Sequence, residues 1–341
     1  MTLRDVARHA GVSVATASRV LNRHELVHDE TRRRVLRAME ELKFTPSHAA
    51  RRLSLGRTLT ISVVITFLTR PQAAERLRGV DAVLSDSEFD LVIYNVETVE
   101  KRDQYLRTLP VAQRTDGLLV VSLPPNPDEV AALATASIPV VVIDAHAPGL
   151  ERLPGVVGDD VAGGELATRH LLELGHRRIG FVGDAFENPF GFTSGRDRFA
   201  GYERALATAG IAACRDLVAL GAHGRYEARE LAMRLLESPE RPTAVFAASD
   251  TQALGVMAAA RESGLQIPDD LSVIGYDDIE AADYVGLTTV RQQLFESGRL
   301  GAELLLKEID ERSAVPPLVT LDPSVVVRST TAVPKGGPGL A

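Results

Sequence analysis

Among 341 residues there is no tryptophan and a single cysteine, Cys214. One thiol excludes an internal disulfide framework and a zinc cluster built on cysteines. No apolar run reaches the roughly 18 residues that a membrane-crossing helix requires. The N-terminal residues show no basic stretch followed by an apolar one, as a secretory leader would, so the expected location is cytoplasmic. GxxxxGKS/T and GxGxxG are missing, which removes a nucleotide-phosphate loop. GxSxG, HExxH and metal-spaced His/Cys clusters are missing too, and four of the eight histidines (His9, His24, His28, His48) crowd into the first fifty residues. The expectation is a protein that is no enzyme and needs neither cofactor nor metal.

What is present is an uneven charge. The net charge is −8, yet residues 1–60 hold 12 basic against 6 acidic side chains, and the rest holds 26 against 40. A basic head on an acidic body suits a module that neutralises phosphates while the remainder is repelled from them.

The head opens with MTLRDVARHAGVSVATASRVLN. Leu3, Val6, Ala7 and Ala10 fall at helical spacing, Ala10-Gly11-Val12 makes a turn, and a second helix runs from about Ser13 to Leu21. Thr2 with Asp5 reads as a capping box, and Ser13 as the cap of the second helix. Spacing alone favours a plain helical hairpin. The alternative is a helix-turn-helix whose second helix enters a DNA major groove, presenting Ser13, Val14, Ala15, Ser18, Arg19 and Asn22. A third helix is expected from about Asp29 to Leu42, with Val35, Leu36, Met39 and Leu42 on its apolar face. Pro46 stops it, and Ser47 caps a segment of about seven residues, too short to be helical without support.

From Leu59 the pattern changes to apolar strands alternating with amphipathic helices. The strands are ISVVI, DLVIYNV, GLLVVS and IPVVVID, then RRIGFVG, DLVAL, TAVFAAS and LSVIGYDD. Such alternation means parallel sheets covered on both faces. Breaks near Val157–Asp160 and Thr289–Gln293, and a return near Pro316–Leu318, suggest two lobes joined by crossing segments. The expected fold is an all-α helix-turn-helix head plus an α/β core of two doubly wound parallel-sheet lobes. The boundaries are 1–46 for the head, 47–58 for a hinge helix and linker, and 59–331 for the core. The first lobe takes about 59–158 and 290–315, the second about 159–289 and 316–331, and 332–341 form a tail. A ligand would bind between the lobes, at the carboxyl ends of the strands.

These segments resemble the lactose-repressor/galactose-repressor family of bacterial transcription regulators over about residues 2–331. The motifs are TLRDVARHAGVSVATASRVLN, ETRRRVLRAMEELKFTPSHAARRL, DDVAGGELATRHLLELGHRRIGFVG, GRDRFAGYERALATAGI and PTAVFAASDTQALGVMAAARESGLQIPDDLSVIGYDD, followed by LTTVRQQLFESGRLGAELLLKEI. The resemblance implies a core like a periplasmic sugar-binding protein and a homodimer or tetramer on a near-palindromic operator in double-stranded DNA. It places Val14 and Ala15 at the bases, Arg19 and Asn22 at polar contacts, and Ser13 and Thr31 at phosphates. Leu53 becomes the hinge wedge in the minor groove. Thr2, Ser18 and Ala50 complete the expected DNA-facing set. The chain departs from the family pattern at His28, where Ser or Thr is usual, so Asp29 is expected to take over the cap. Ser47 replaces Asn, and Ala17 replaces a commoner valine.

The family's effectors are sugars, sugar phosphates and nucleobases. The matching polar set is Arg198, Ser249, Asp250, Asp277 and Gln292, with Asp144 facing them from the first lobe and Phe67 and Phe190 as stacking faces. The acids near Arg196 and Arg198 argue for a neutral polyol, so a small sugar is the expected effector. Each residue has a plainer alternative: Arg198 as a bridge to Asp250 or Asp277, Asp250 as a helix cap, Phe67 as core. The indole that some relatives stack on sugars is absent, and His223 or Tyr226 stands near its place. The expected function is a repressor of carbohydrate-use genes, switched by population shift between lobe arrangements. The alternatives are a transporter's solute-binding protein and a regulator answering a non-sugar corepressor.

Overall fold

The computed structural model describes residues 1–21, 27–44, 52 and 55–335. Two compact units emerge, Met1–Leu59 and Thr60–Ala341.

In the first unit, α1 (Leu3–His9), α2 (Val14–Leu21) and α3 (Asp29–Glu41) enclose Val6, Ala7, Ala10, Ala17, Val20, Val35 and Ala38. The caps explain where the helices start. Asp5 N donates to Thr2 Oγ1 at 3.4 Å while Thr2 N donates to Asp5 Oδ2 at 2.9 Å, and Thr16 N donates to Ser13 Oγ at 3.0 Å. Gly11, at φ +63°, turns the chain between α1 and α2 in a conformation that favours glycine. Arg34 of α3 fastens that turn, donating to Ala10 O at 2.6 Å and Gly11 O at 3.1 Å. One expectation is corrected here. Asp29 is the first helical residue, and His28 holds the cap position without a side-chain bond. The carboxylates of Asp29 and Glu30 still favour the helix start through its dipole.

The second unit holds two six-stranded sheets. The first is ordered β11-β5-β4-β3-β1-β2, with β1 Thr60–Thr66, β2 Asp90–Val96, β3 Gly117–Val121, β4 Val140–Ile143, β5 Gly155–Gly158 and β11 Leu318–Leu321. The second is ordered β12-β10-β9-β8-β6-β7, with β6 Ile179–Asp184, β7 Val218–Gly221, β8 Ala244–Ala247, β9 Ser272–Asp277, β10 Thr288–Arg291 and β12 Ser324–Val326. All pairings are parallel except β10 with β12. The helices are α4 (Pro71–Leu84), α5 (Val99–Thr108), α6 (Pro127–Ala134), α7 (Asp160–Glu173), α8 (Ser194–Thr208), α9 (Arg225–Leu236), α10 (Asp250–Glu262), α11 (Glu280–Tyr284) and α12 (Leu294–Asp310).

The lobe boundaries differ from the sequence reading. β11 joins the first sheet, where Gly155 N donates to Pro317 O at 2.9 Å and Leu318 to Leu321 run parallel to β5. β10, by contrast, belongs wholly to the second sheet. Crossings therefore fall after β5, after β10 and between β11 and β12. Alternation of apolar residues marks a strand but not the sheet it joins. Two residues assigned to the tail are tied to the second lobe. Ala332 N donates to Ser272 Oγ at 3.0 Å, Ala332 O accepts from His176, and Lys335 pairs with Asp270 at 2.8 Å.

Two helix pairs set the site. In the first lobe α4 lies on α12 with the Gly298 position only 1.9 Å, measured from an added Cβ, from Arg76 O. In the second, α7 lies on α8, and a Cβ at Gly164 would fall 2.1 Å from Arg198 O. Both glycines are required because the backbones touch where each arginine leaves its helix.

Candidate functional site

Between the two sheets lies a cavity of about 480 Å³. Four residues with positive φ stand on its wall at the carboxyl ends of strands: Phe67 after β1, Ser122 after β3, Asp144 after β4 and Asp277 closing β9. Strained backbone at strand ends is where an open α/β sheet gathers its ligand-facing groups.

A chain of polar contacts crosses the cavity wall. Ser122 Oγ donates to Asp144 Oδ2 at 2.8 Å, and Asp144 pairs with Arg76 Nη2 at 2.7 Å. Arg76 Nη2 also donates to Gln292 Oε1 at 2.9 Å, and Gln292 Nε2 donates to Asp277 Oδ1 at 2.5 Å. Asp277 lies 3.6 Å from Arg198 Nη1, whose Nε donates to Asp160 Oδ1 at 2.8 Å and whose Nη1 donates to Ala248 O at 2.6 Å. Tyr276 lies beneath the Arg198 guanidinium, 3.7 Å away. First lobe, crossing segment and second lobe are thus joined through side chains that all line one cavity.

Burial controls the protonation of this chain. It opposes the Arg198 charge, but Asp160, Tyr276 and Asp277 outweigh it and hold the guanidinium firmly charged. Burial pushes Asp277 up to about 6, against the pull of Arg198 and Arg76. Asp250 is raised by burial and by the neighbouring Asp277 charge.

A second cluster is aromatic. Phe190 and Phe192 stack with centroids 5.3 Å apart, and Phe67 meets Phe190 edge-on at 5.5 Å. Asn188 shapes the segment that carries them, donating to Phe192 O and accepting from Phe192 N, both at 2.9 Å. Opposite groups come from Asp184, which accepts from Gln252 Nε2 at 2.8 Å and lies 3.1 Å from His223 Nδ1.

Of the eight residues expected around an effector, seven line the cavity: Phe67, Asp144, Phe190, Arg198, Ser249, Asp277 and Gln292. Asp250 does not. It is fully buried, accepting from Ile279 N at 2.9 Å and Thr289 Oγ1 at 2.5 Å, so it braces the sheet ends beneath the cavity. Nor is it the cap of α10, because Ser249 accepts from Gln252 N there. Phe190 is 8% exposed and packs into the first lobe's apolar cluster, so most of its ring serves the core. Asp278, next to Asp277, turns instead to Arg291 and Arg328. His223 lines the cavity, whereas Tyr226 is 69% exposed beside Arg225 and does not. Arg70, Arg76, Asp160, Asp184 and Phe192 line it as well and were not anticipated. ENPFGF signalled one aromatic face and held two; Arg76 sits in an ordinary amphipathic helix that gives no signal.

In the head, Ser13, Val14, Ala15 and Arg19 are exposed on one side of α2, while Ala17 and Val20 are buried on the other. Ser18 and Thr31 are half-buried, and Thr2 is exposed with its hydroxyl in the capping box. Asn22, Ala50 and Leu53 lie outside the described residues, as do residues 47–51 and 54 of the expected hinge.

Comparison with known proteins agrees with this division. Residues 2–47 match the model for bacterial regulatory proteins of the lacI family, and residues 168–331 match a periplasmic binding protein-like domain. The HTH-type transcriptional repressor PurR of Vibrio campbellii is 35% identical over 333 residues, covering 96% of this chain and 98% of its own. The lac repressor dimer bound to operator and the anti-inducer ONPF superposes with a TM-score of 0.83 at 29% identity, over 97% of this chain and 99% of that one. The transcriptional regulator CelR in complex with cellobiose does so at 0.71 and 31% identity, with the same coverage. The chain belongs to the lacI family and is a DNA-binding, effector-binding transcriptional repressor.

Proposed function

We propose that a small polyhydroxylated ligand of the sugar class binds between the lobes and changes the affinity of the head for its operator. The carrying observation is the Asp144–Arg76–Gln292–Asp277–Arg198 chain, which links both lobes along one cavity wall. A ring with hydroxyls on its edge and carbon on its face suits a wall of carboxylates, guanidiniums and amides beside a phenylalanine cluster. The relative solved in complex with cellobiose supports this class. Phe67, Asp144, Phe190, Arg198, Ser249, Asp277 and Gln292 are the proposed contacts, and a nucleobase is the competing class within the family.

The DNA contacts are proposed from the exposed face of α2: Val14 and Ala15 at bases, Arg19 beside them, Ser13 and Thr31 at phosphates, with Asn22 and Leu53 in the roles the family resemblance implies. The protein acts as a homodimer on a near-palindromic site, as the lac repressor dimer does on its operator. Ligand binding shifts the balance of lobe arrangements and with it operator affinity, by roughly 5–150-fold for a coupling of typical size.

The test has two steps. A thermal-shift screen of mono- and disaccharides, sugar phosphates and nucleobases finds a ligand, because binding to the folded state raises its melting point. Operator binding is then measured with and without that ligand. A ligand of the sugar class that changes operator affinity supports the reading, and a nucleobase as the sole hit would replace it.

A further inference from the structure

Arg70 differs from the other cationic groups of the cavity. Arg76 is held by Asp144 and Gln292, Arg198 by Asp160 and Ala248 O, and Arg196 lies 3.7 Å from Asp197. The Arg70 guanidinium lines the same cavity and lies 3.9 Å over the Phe67 ring, with no hydrogen-bond or ion-pair partner among the described residues. Burial lowers its pKa against the more distant attraction of Asp184, as expected for a charge without a counter-ion. Asp184 is already engaged by Gln252 and His223. Glu187, another acid of this wall, is exposed to solvent.

Two neighbours add donors at the same place. Arg70 is the cap residue of α4 and forms no side-chain cap, and Gln72 and Ala73 in the first turn line the cavity. The positive end of a 14-residue helix therefore opens beside an unpaired guanidinium. Arg76 of that helix is 2% exposed, and its Nε has no partner among the described residues. Pro71 has no N–H, and Ala73 and Ala74 donate theirs to Arg70 O, so Gln72 N–H is the backbone donor left in that turn, beside a guanidinium with no acceptor among the described residues.

We infer that the effector carries an anionic group, a phosphoryl or a carboxylate, which Arg70 and the first turn of α4 receive. This rests on the cavity being the effector site and corrects the expectation of a neutral ligand. A guanidinium takes either oxyanion in a planar fork, so one residue sets the class of ligand admitted.

The experiment titrates the full-length protein with sodium phosphate and with sodium acetate at constant ionic strength set by chloride, following the melting temperature. Wild type and Arg70→Gln are compared, and both carry the same basic head. Wild type should show saturable stabilisation, with roughly 10–100-fold weaker anion affinity in Arg70→Gln, the worth of a charge-assisted pair. Preference for phosphate or acetate identifies which oxyanion the site takes. Indistinguishable behaviour of the two proteins, or of both anions from chloride, overturns the inference. A neutral sugar that stabilises both proteins equally would also overturn it while leaving the cavity as the effector site. No stabilisation by any sugar, charged or neutral, would instead remove the reading on which it rests.

Discussion

Gln292 donates to Asp277 of the second lobe at 2.5 Å and accepts from Arg76 of the first at 2.9 Å, so one side-chain amide in a crossing segment serves both lobes. It is 8% exposed, and its two partners are 3% and 2% exposed. Replacing it leaves a buried donor and a buried acceptor each short of a bond, at a cost of about 1–3 kcal/mol apiece. Gln292→Ala should therefore lower unfolding free energy by about 2–6 kcal/mol in urea titrations, and effector should move operator affinity less than in wild type. An unchanged effector response would separate this amide from the switch.

Asp277 gives stability a defined dependence on pH. Its folded value, about 6, lies above the ordinary 3.8. The native chain thus binds this proton more tightly than the unfolded chain. The contribution is full below about pH 4, falls as pH rises through the interval to about 6, and is absent above it. Asp250 is raised alongside it, so the step belongs to the pair. Denaturation midpoints from pH 4.5 to 7.5 should fall with rising pH in wild type relative to Asp277→Asn. A constant offset between the two proteins would contradict this assignment.

The glycine contacts make a packing prediction. A methyl group at Gly298 would sit 1.9 Å from Arg76 O, with backbone and no flexible side chain to give way. Gly298→Ala should cost at least about 1–3 kcal/mol, the range for overpacking, and weaken effector binding by moving Arg76. Gly158→Ala meets nothing within 4 Å and serves as the control, with stability within about 0.5 kcal/mol of wild type. Equal effects of the two would show that the helix contact tolerates a side chain.

In the head, Arg34 fastens the turn between α1 and α2 by donating to Ala10 O and Gly11 O. Arg34→Ala should destabilise the head by about 1–2 kcal/mol. Hydrogen exchange of amides in residues 3–21 should quicken while the sheets of the second unit keep their protection, and operator affinity should fall. Unaltered exchange in the head would assign the turn's stability to Gly11 alone.

How much of this was legible depends on what each signal encodes. Val6, Ala7, Ala17 and Val20 fall at helical spacing because one face is buried, so the head was readable from period and caps. ISVVI and GLLVV read as strands because both faces of β1 and β3 are covered. VEKRDQYLRT offers few apolar positions and PDEVAALA is only eight residues long, so neither α5 nor α6 carries a sustained helical repeat. The sheet joined by β11 is a tertiary matter that four residues of alternation do not carry. Asp144, Asp277 and Gln292 stood at strand ends and a crossing, and Arg198 stood in the helical motif GRDRFAGY that the family resemblance carried. Arg70 and Arg76 became visible only when α4 was laid beside the cavity, because a helical arginine looks alike whether it faces solvent or a ligand.

The central claim is that occupancy of the inter-lobe cavity sets operator affinity, and Arg198→Lys tests it most directly. The lysine keeps a positive charge near Asp160 and Asp277 but loses the fork that also reaches Ala248 O. Fluorescence anisotropy on a palindromic operator fragment, with and without the screened ligand, gives the result. The account predicts operator affinity within about threefold of wild type without ligand, and a ligand concentration for half-response at least about tenfold higher. A variant that responds at the wild-type concentration would contradict it.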